Sequence, residues 1–381
     1  MKATTDRIGT DSAASAHWMM SEVSTATLNG PPDAHSSRIA GIGYQEPGAT
    51  LTSEALLAGA AHHPHIDLER LTGIRSRHVV SPGEDSYTLA LGAAQDCLLR
   101  AGRDAADVEM LISCSITRYR GGLVQRYEPP MSLAIKEALG APGALSFDVT
   151  NACAGMLTGV FILNDFIRRG VIKCGMAVSG EYISGLARGA ARDVRTILSP
   201  QLASLTVGDA GVAVLLERAA VGAPGIEVVS FTTLAEHSRL CLAYPSKSRP
   251  GATMYTKAQA LQKMAIEDTP VLLEEVLHDS GLNLADVDYV IPHQTSSRAI
   301  RKGLKALTER LGASPGHIVD NLADYGNTAS TSHFVALYRY LQEGRFKKGD
   351  RVVLLALASG LEVGVVSFRM DEMVERYGRT D

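Results

Sequence analysis

The sequence predicts an α/β protein built from two similar halves. Short apolar runs alternate with longer segments of helical spacing along most of the chain, and this alternation is typical of layered α/β architectures. Each half also contains a strand that runs into a small-residue turn and then a helix, with the turns at residues 150–155 and 323–330. The chain has 381 residues, 45% of them hydrophobic, which is enough to bury a sizeable core in two or three units.

The first half opens with a strand of small residues. Its predicted strands, each a short apolar run bounded by polar or small residues, are 37–43, 110–115, 145–149, 175–180 and 211–216. Helical spacing predicts helices over 87–101 and 155–167. This N-terminal half is therefore expected to span residues 37–220.

The second half, residues 221–381, repeats this pattern. Its predicted strands are 226–231, 287–291, 317–320, 351–357 and 363–368. One long helix is predicted over 258–280. Residues 1–36 are rich in small and polar residues and lack periodicity, so they are predicted to be a disordered N-terminal extension. No basic segment leads into an apolar run there, so a signal peptide is not indicated.

Composition argues against several classes of function. The net charge is −4 and Lys and Arg are not clustered, which disfavours a nucleic-acid partner. No run approaches 18 apolar residues, so no membrane span is expected. The five cysteines include no C-x-x-C pair, which favours reduced thiols in a cytoplasmic protein. In the tract of His62, His63 and His65, Pro64 breaks any helical ligand spacing, so no metal site is predicted.

Three residues could carry chemistry. Cys153 lies at a strand-to-helix turn, where the helix N-terminus should lower the pKa of its thiol and backbone N–H groups can stabilise an oxyanion. His293 directly follows an apolar strand, where catalytic groups of α/β sheets gather, and its imidazole could act as a base or a donor. Asn327 lies in a turn before a helix. Taken singly, each has a structural alternative: a packing cysteine, a core histidine and a helix cap.

The motifs around these residues occur together in a defined order. They are Asn-Ala-Cys-Ala-Gly at 151–155, Pro-His-Gln at 292–294 and Gly-Asn-Thr-Ala-Ser at 326–330, with further matches at 71–78 and 207–214. This set resembles the ketosynthase III branch of the thiolase superfamily, over about residues 37–370. The resemblance implies a thiolase fold with a duplicated five-layered αβαβα architecture.

The resemblance also implies a triad of Cys153, His293 and Asn327. In the family, the cysteine takes an acyl group from a CoA or acyl-carrier-protein thioester. His and Asn then stabilise the enolate of a second substrate, whose α-carbon attacks the acyl-enzyme. This Claisen condensation gives a β-keto product in fatty-acid or polyketide biosynthesis, and the family implies a homodimer with no cofactor beyond its thioester substrates. The remaining implied site residues are backbone oxyanion donors at Cys153 and Gly360, and substrate or carrier contacts from Arg75 and Arg298.

Some positions depart from the common pattern of the family. Asp67 stands where many members have a tryptophan that stacks on the CoA adenine, and Leu71 stands where they have an arginine. These changes favour a carrier-protein donor, or CoA held differently. Ser359-Gly360-Leu361 and the Glu128–Pro129 pair resemble OleA-type enzymes, which join two long acyl chains. In those enzymes the Glu reaches into the partner subunit's site as a base, which deprotonation of an unactivated α-carbon requires.

We therefore expect condensation of two acyl chains, and three alternatives stay open. The first is a decarboxylative ketosynthase with a malonyl-type extender, for which Glu128 would be an exposed loop residue. The second is an acyltransferase acting on an alcohol or amine, which the presence of both His293 and Asn327 disfavours. The third is a non-catalytic partner subunit, which the retention of Cys153 disfavours.

Overall fold

Two large mixed sheets, two small two-stranded antiparallel sheets and the helices around them make up the computed structural model, which describes residues 24–27, 35–58, 60 and 66–377. The strands are β1 (Ser24–Thr27), β2 (Ser37–Gln45), β3 (Ala49–Thr52), β4 (Ser76–Val79), β5 (Met110–Ser113), β6 (Leu145–Asp148), β7 (Cys174–Glu181), β8 (Ala210–Arg218), β9 (Ile226–Thr233), β10 (Cys241–Pro245), β11 (Ala252–Thr256), β12 (Tyr289–Pro292), β13 (His317–Ile318), β14 (Arg351–Ala358) and β15 (Glu362–Arg369). The α-helices are α1 (Ser53–Ala58), α2 (Leu68–Thr72), α3 (Ser86–Ala101), α4 (Met131–Leu139), α5 (Gly155–Arg168), α6 (Ser184–Asp193), α7 (Ala258–Glu267), α8 (Thr269–Asp279), α9 (Ser297–Leu311), α10 (Leu322–Tyr325) and α11 (Ser332–Gln342).

The two large sheets have the same strand order. The first runs β2-β8-β7-β5-β6, and the second runs β9-β15-β14-β12-β13 with β1 added outside β9. In each, the first two of these pairings are antiparallel and the last two are parallel. Numbered within its own half, each sheet therefore has the order 1-5-4-2-3, so the halves are two copies of one topology.

The central helices α5 and α11 lie between the sheets. α5 contacts β7 and β8 of the first sheet and β9 and β15 of the second, and α11 likewise touches both sheets. α3 and α4 cover the other face of the first sheet, while α8 packs on β15 with α7 and α9 beside it. This is the predicted five-layered αβαβα arrangement. α5 suits its central place because its apolar residues, Met156, Leu157, Val160, Leu163 and Ile167 among them, are buried around the helix.

The structure corrects two predicted elements. The helix predicted over 258–280 is two helices, α7 and α8, which meet at Asp268. Pro270, in the first turn of α8, has no backbone N–H with which to continue α7, and its ring excludes the carbonyl four residues earlier. Within the predicted extension, Ser24–Thr27 form β1 and pair antiparallel with β9, which covers that edge of the second sheet with backbone hydrogen bonds.

Other predictions fall outside the described residues. These are the remainder of residues 1–34 and the histidine tract within 61–65. Among the helices that are described, none combines the length and apolar character needed to cross a bilayer.

Candidate active site

Cys153 lies in a tight turn between β6 and α5. Ala152, immediately before it, has a φ of 44°, a left-handed conformation that costs a non-glycine residue about 1–2 kcal/mol. The N–H groups of Ala154 and Gly155 donate to the carbonyls of Asn151 and Ala152 at 2.9 and 3.1 Å. These local bonds fix the turn, so Cys153 is held two residues before the first residue of α5.

The surroundings of Cys153 are largely apolar. The side chain keeps some accessible surface but packs against the main core and against a second apolar cluster that includes Leu205 and Ala329. Burial raises the pKa of the thiol to about 12, with further contributions from Cys241 and Glu181. The expectation that the helix N-terminus lowers this pKa is therefore wrong, because desolvation outweighs it. The resting thiol is protonated at neutral pH and needs a base to become a nucleophile.

Glu181, at the end of β7, is a fully buried carboxylate that the sequence analysis did not single out. It accepts hydrogen bonds from the N–H groups of Ile116 (2.9 Å) and Thr117 (3.2 Å) and from the hydroxyls of Thr117 (3.0 Å), Ser179 (3.4 Å) and Ser330. Burial raises its pKa, and these donors oppose that shift. The carboxylate thus ties the first sheet to the turn that precedes α11.

Asn327 is anchored to the first half through its backbone. Its N–H donates to the carbonyl of Thr206, and its own carbonyl accepts from the N–H of Gly208, both at 2.9 Å. The side-chain Oδ1 accepts from the N–H of Ala329 at 2.9 Å. The oxygen end of the amide is therefore used inside the turn, and Nδ2 is the end of the side chain that can donate a hydrogen bond.

His293 follows β12 and is held by both its backbone and its ring. Its N–H donates to the carbonyl of Leu355 on β14 at 2.9 Å, and Nδ1 lies 2.8 Å from Oγ of Ser332. The ring stacks on His333 with 5.6 Å between centroids. Burial, with a smaller contribution from His333, lowers the pKa of His293 to about 3. The imidazole is therefore neutral at physiological pH.

The N-terminal ends of the two central helices bring these residues into one region. α5, which follows Cys153, contacts the short turn Ala329–Thr331 after Asn327. Ser332, the first residue of α11, holds the ring of His293. The signal that could have pointed to Ser332 and His333 was the run of polar residues at 327–333 before a buried helix, but only the fold shows which of them meet.

Glu128 and Gly360 lie in other environments. Glu128 is exposed and lines a surface cavity of about 170 Å³ together with Arg118, Arg120 and Arg126. Gly360 lies in the turn between β14 and β15, with a φ of 149°. Their roles as base and oxyanion donor stay predictions.

The residues expected to contact the acyl donor lie near α2 and α9, which touch each other. Arg75 forms an exposed ion pair with Asp324, and Arg298 is exposed in the first turn of α9. Asp67 caps α2, since its carboxylate accepts from the N–H of Arg70 at 2.9 Å. A helix cap thus occupies the position at which the family resemblance places a tryptophan in many members.

Comparison with known proteins gives matches over most of the chain. Residues 147–236 match the 3-oxoacyl-[acyl-carrier-protein] synthase III family, and residues 277–370 match its C-terminal domain. The chain is similar to the beta-ketoacyl-[acyl-carrier-protein] synthase III of Gloeobacter violaceus, with 31% identity over 310 residues that cover 78% of this chain and 88% of the relative.

Solved structures resemble the fold closely. One is OleA of Xanthomonas campestris with bound lauric acid and lauroyl-CoA, which has a TM-score of 0.75, 23% identity and coverage of 88% of this chain and 99% of that one. Another is the 3-oxoacyl-[acyl-carrier-protein] synthase III of Aquifex aeolicus, with a TM-score of 0.73, 25% identity and coverage of 88% and 100%. Both have the thiolase fold, so the predicted fold is confirmed.

Proposed function

Since the chain belongs to the beta-ketoacyl-[acyl-carrier-protein] synthase III family of thiolase-superfamily condensing enzymes, we propose that it forms an acyl-enzyme on Cys153 and joins that acyl group to a second acyl thioester. The observation that carries the proposal is that the predicted site residues lie at the N-terminal ends of the two central helices. A cysteine precedes α5, while the turn before α11 and its first residue hold an amide donor and a neutral imidazole.

Acylation is the first proposed step. The thiolate of Cys153 attacks the thioester carbonyl carbon, the bond from that carbon to the donor's sulfur breaks, and the donor thiol leaves. The apolar side chains around Cys153 keep water away from the resulting thioester. This step transfers an acyl group whichever second substrate follows.

Condensation is the second proposed step. A base removes the α-proton of the second thioester, and the enolate carbon attacks the acyl-enzyme. The new C–C bond forms as the C–S bond to Cys153 breaks. Nδ2 of Asn327 and the imidazole of His293 stabilise the charge on the enolate oxygen.

Glu128 is the proposed base, and its exposure implies that it works in the site of a second subunit. It lies on the surface of its own chain, in a cavity whose lining does not include Cys153. We therefore include a homodimer in the proposal, in which the Glu128 loop of each subunit completes the other site. Such a carboxylate is required when no carboxyl group is lost from the second substrate.

Hybrid dimers test this arrangement. One subunit carries Cys153→Ala and the other Glu128→Gln, each with its own affinity tag, and both homodimers are expected to be inactive in condensation. A base that acts across the dimer restores about half of the wild-type product in the hybrid, because the intact Cys153 then faces the intact Glu128. A hybrid as inactive as its parents would contradict action across the dimer.

Intact-protein mass spectrometry tests the whole proposal. The protein is incubated with a panel of acyl-CoA and acyl-carrier-protein thioesters that includes lauroyl-CoA, while products and CO₂ are followed in the same tubes. We expect an acyl adduct that Cys153→Ala abolishes and Cys241→Ala retains, since Cys241 is the other partly accessible cysteine. A β-keto product without CO₂ supports the joining of two chains.

The name of the relatives, beta-ketoacyl-[acyl-carrier-protein] synthase III, favours a second candidate function. It is decarboxylative condensation with a malonyl-type extender. CO₂ released in step with product would establish it and would leave Glu128 without a role as base. An ester or amide product in place of a β-keto product would point to the acyltransferase alternative.

A substitution in α9 tests the preference for an acyl-carrier-protein donor over CoA. Asp67 and Leu71 offer no aromatic or cationic contact for an adenine nucleotide, so we propose a carrier-protein donor held partly by Arg298. Arg298→Ala should raise KM for the acyl carrier protein by about 5-fold, the loss of a surface charge contact worth about 1 kcal/mol. Lys302→Ala, an exposed residue on the same helix, is the control and should leave KM unchanged. Equal effects of the two variants would contradict a specific contact.

A further inference from the structure

Ser332 makes two hydrogen bonds that have not entered the proposed mechanism. Its side-chain Oγ lies 3.0 Å from the carbonyl oxygen of Ala329 and 2.8 Å from Nδ1 of His293. Ser332 has about 1% of its surface exposed and His293 about 6%. Water therefore has little access to this pair, and the protein groups decide where the protons lie.

The chemistry of the three groups allows one arrangement that satisfies both contacts. The carbonyl of Ala329 can only accept a hydrogen bond, so the single hydroxyl proton of Ser332 is donated to it. The oxygen of Ser332 then has only lone pairs to offer Nδ1. His293 must donate to it, and the ring proton of the neutral imidazole is on Nδ1.

We propose that Ser332 is a positioning residue that fixes His293 in the tautomer protonated at Nδ1, so that Nε2 is a proton acceptor in the resting enzyme. The neighbouring histidine is in the same form for a different reason. Nε2 of His333 lies 3.0 Å from the carbonyl of Leu355, so it carries the ring proton. The two stacked rings are therefore opposite tautomers, each set by its own oxygen partner.

This tautomer gives the resting enzyme a base for its thiol. The proton of Cys153 moves from Sγ to Nε2 of His293, which leaves a thiolate and an imidazolium. The donor thiolate takes its proton from solvent once it has left the site, and the negative charge of the enolate that forms next holds the Nε2 proton on His293, whose ring is otherwise neutral. When condensation expels the thiolate of Cys153, the proton returns to sulfur and the cycle closes.

Nitrogen NMR on the full-length wild-type protein tests the tautomer without any substrate. With ¹⁵N-labelled histidine, long-range proton–nitrogen correlations distinguish protonated from unprotonated ring nitrogens, and the His293→Asn spectrum identifies the signals. We expect Nδ1 of His293 to be protonated and Nε2 to be unprotonated. A protonated Nε2 would overturn the proposal. Since no thioester is present, this result is separate from the success or failure of the proposed function.

Alkylation by iodoacetamide tests the consequence for Cys153, again without a thioester. The background is Cys241→Ala, and intact mass follows the adduct. Ser332→Ala should slow alkylation at pH 7 by about 10- to 100-fold, as expected for loss of a partner that orients a functional histidine. Ser332→Thr, which keeps a hydroxyl, should recover most of the rate and the Nδ1-protonated signal.

Ser132→Ala is the matched control. Ser132 is also buried in the first turn of a helix, and its Oγ has no hydrogen-bond partner within the described part of the chain. This variant should alkylate at the wild-type rate. A Ser332→Ala protein that is folded by circular dichroism and alkylates like Ser132→Ala would refute the role of Ser332. If Ser332→Ala does not fold, the wild-type and Ser332→Thr spectra still decide the matter.

Discussion

The turns before the two central helices begin alike and are used differently. Each contains one non-glycine residue of positive φ, 44° at Ala152 and 55° at Ala329, and each helix begins three residues later. Counted from these alanines, the corresponding pairs are Cys153 with Ser330, Gly155 with Ser332, and Met156 with His333. Duplication thus produced the same backbone geometry twice, and the side chains determine what each turn does.

The difference between Cys153 and Ser330 concerns their neighbours. The hydroxyl of Ser330 is fully buried, donates to the carboxylate of Glu181 and lies 2.9 Å from Oγ of Ser179. The thiol of Cys153 instead lies among apolar side chains and keeps some accessible surface. The hydroxyl of Ser330 is thus occupied in a buried network at the junction of the halves, whereas the proposed nucleophile, Cys153, lies outside that network and keeps some accessible surface.

The largest expected effect comes from making the first turn resemble the second. Cys153→Ser should reduce acyl-enzyme formation by roughly 10³-fold or more, because loss of an enzyme nucleophile costs up to about 10⁶-fold. The rate of acyl transfer to the enzyme is measured by stopped flow, with the thioester of the panel that gives the most acyl adduct. The double variant Cys153→Ser with Ser330→Cys should not recover it, because the second site is fully buried. Recovery would show that backbone geometry alone makes the nucleophile.

A smaller effect is expected from a substitution in the second turn, at Ser330. Ser330→Ala removes a donor from the buried carboxylate of Glu181, so the free energy of unfolding should fall by about 1–3 kcal/mol. Ser113→Ala, whose buried Oγ has no partner among the described residues, should change it by less than about 1 kcal/mol. Urea titrations measure both. Equal losses would mean that the Ser330–Glu181 bond contributes nothing specific.

His333 differs from its counterpart Met156 in being titratable. Burial lowers the pKa of His333 to about 4, against a small opposing effect of its bond to Leu355. A base whose folded pKa is lower than its unfolded pKa, about 6.5, contributes full stability above that unfolded pKa. The contribution is lost as the pH falls toward the folded value.

His333→Met should therefore flatten the acid side of the stability curve. Between pH 6 and 5, wild-type stability should fall by about 1.2 kcal/mol more than that of the variant, because over this range the unfolded chain binds most of one proton that the folded protein does not. Urea midpoints at pH 7, 6 and 5 measure the two slopes. His278→Met, at an exposed position on α8, should keep the wild-type slope. Parallel curves for wild type and His333→Met would show that His333 is not held neutral by the fold.

The sequence predicted what depends on local pattern. Alternating strands and helices, the two small-residue turns and the motifs around Cys153, His293 and Asn327 are all readable within a few neighbouring residues. The break at Pro270 was readable too and was missed. The direction in which the pKa of the Cys153 thiol shifts could not be predicted from the neighbouring residues, because Leu205 and Ala329, which are distant in sequence, contribute to the apolar surroundings of the thiol. The contact between Ser332 and His293 likewise joins segments 39 residues apart.

The smallest expected effects concern the shared backbone geometry. Ala152→Gly relieves a left-handed conformation worth about 1–2 kcal/mol at an entropic cost of about 0.5–1 kcal/mol, so it should stabilise the protein by roughly 0.5–1 kcal/mol. Ala329→Gly should gain less, because its buried Cβ contributes about 0.8 kcal/mol that the glycine loses. Ala154→Gly, at a φ of −87° and fully buried, relieves nothing and loses its buried Cβ as well, so it should be destabilising by about 1–2 kcal/mol. If the strain at Ala152 holds Cys153 in place, Ala152→Gly should gain stability and lose acylation rate. Ala329→Gly should leave the acylation rate unchanged. A stabilised Ala152→Gly enzyme that acylates at the wild-type rate would show that the two turns share their strain only by ancestry.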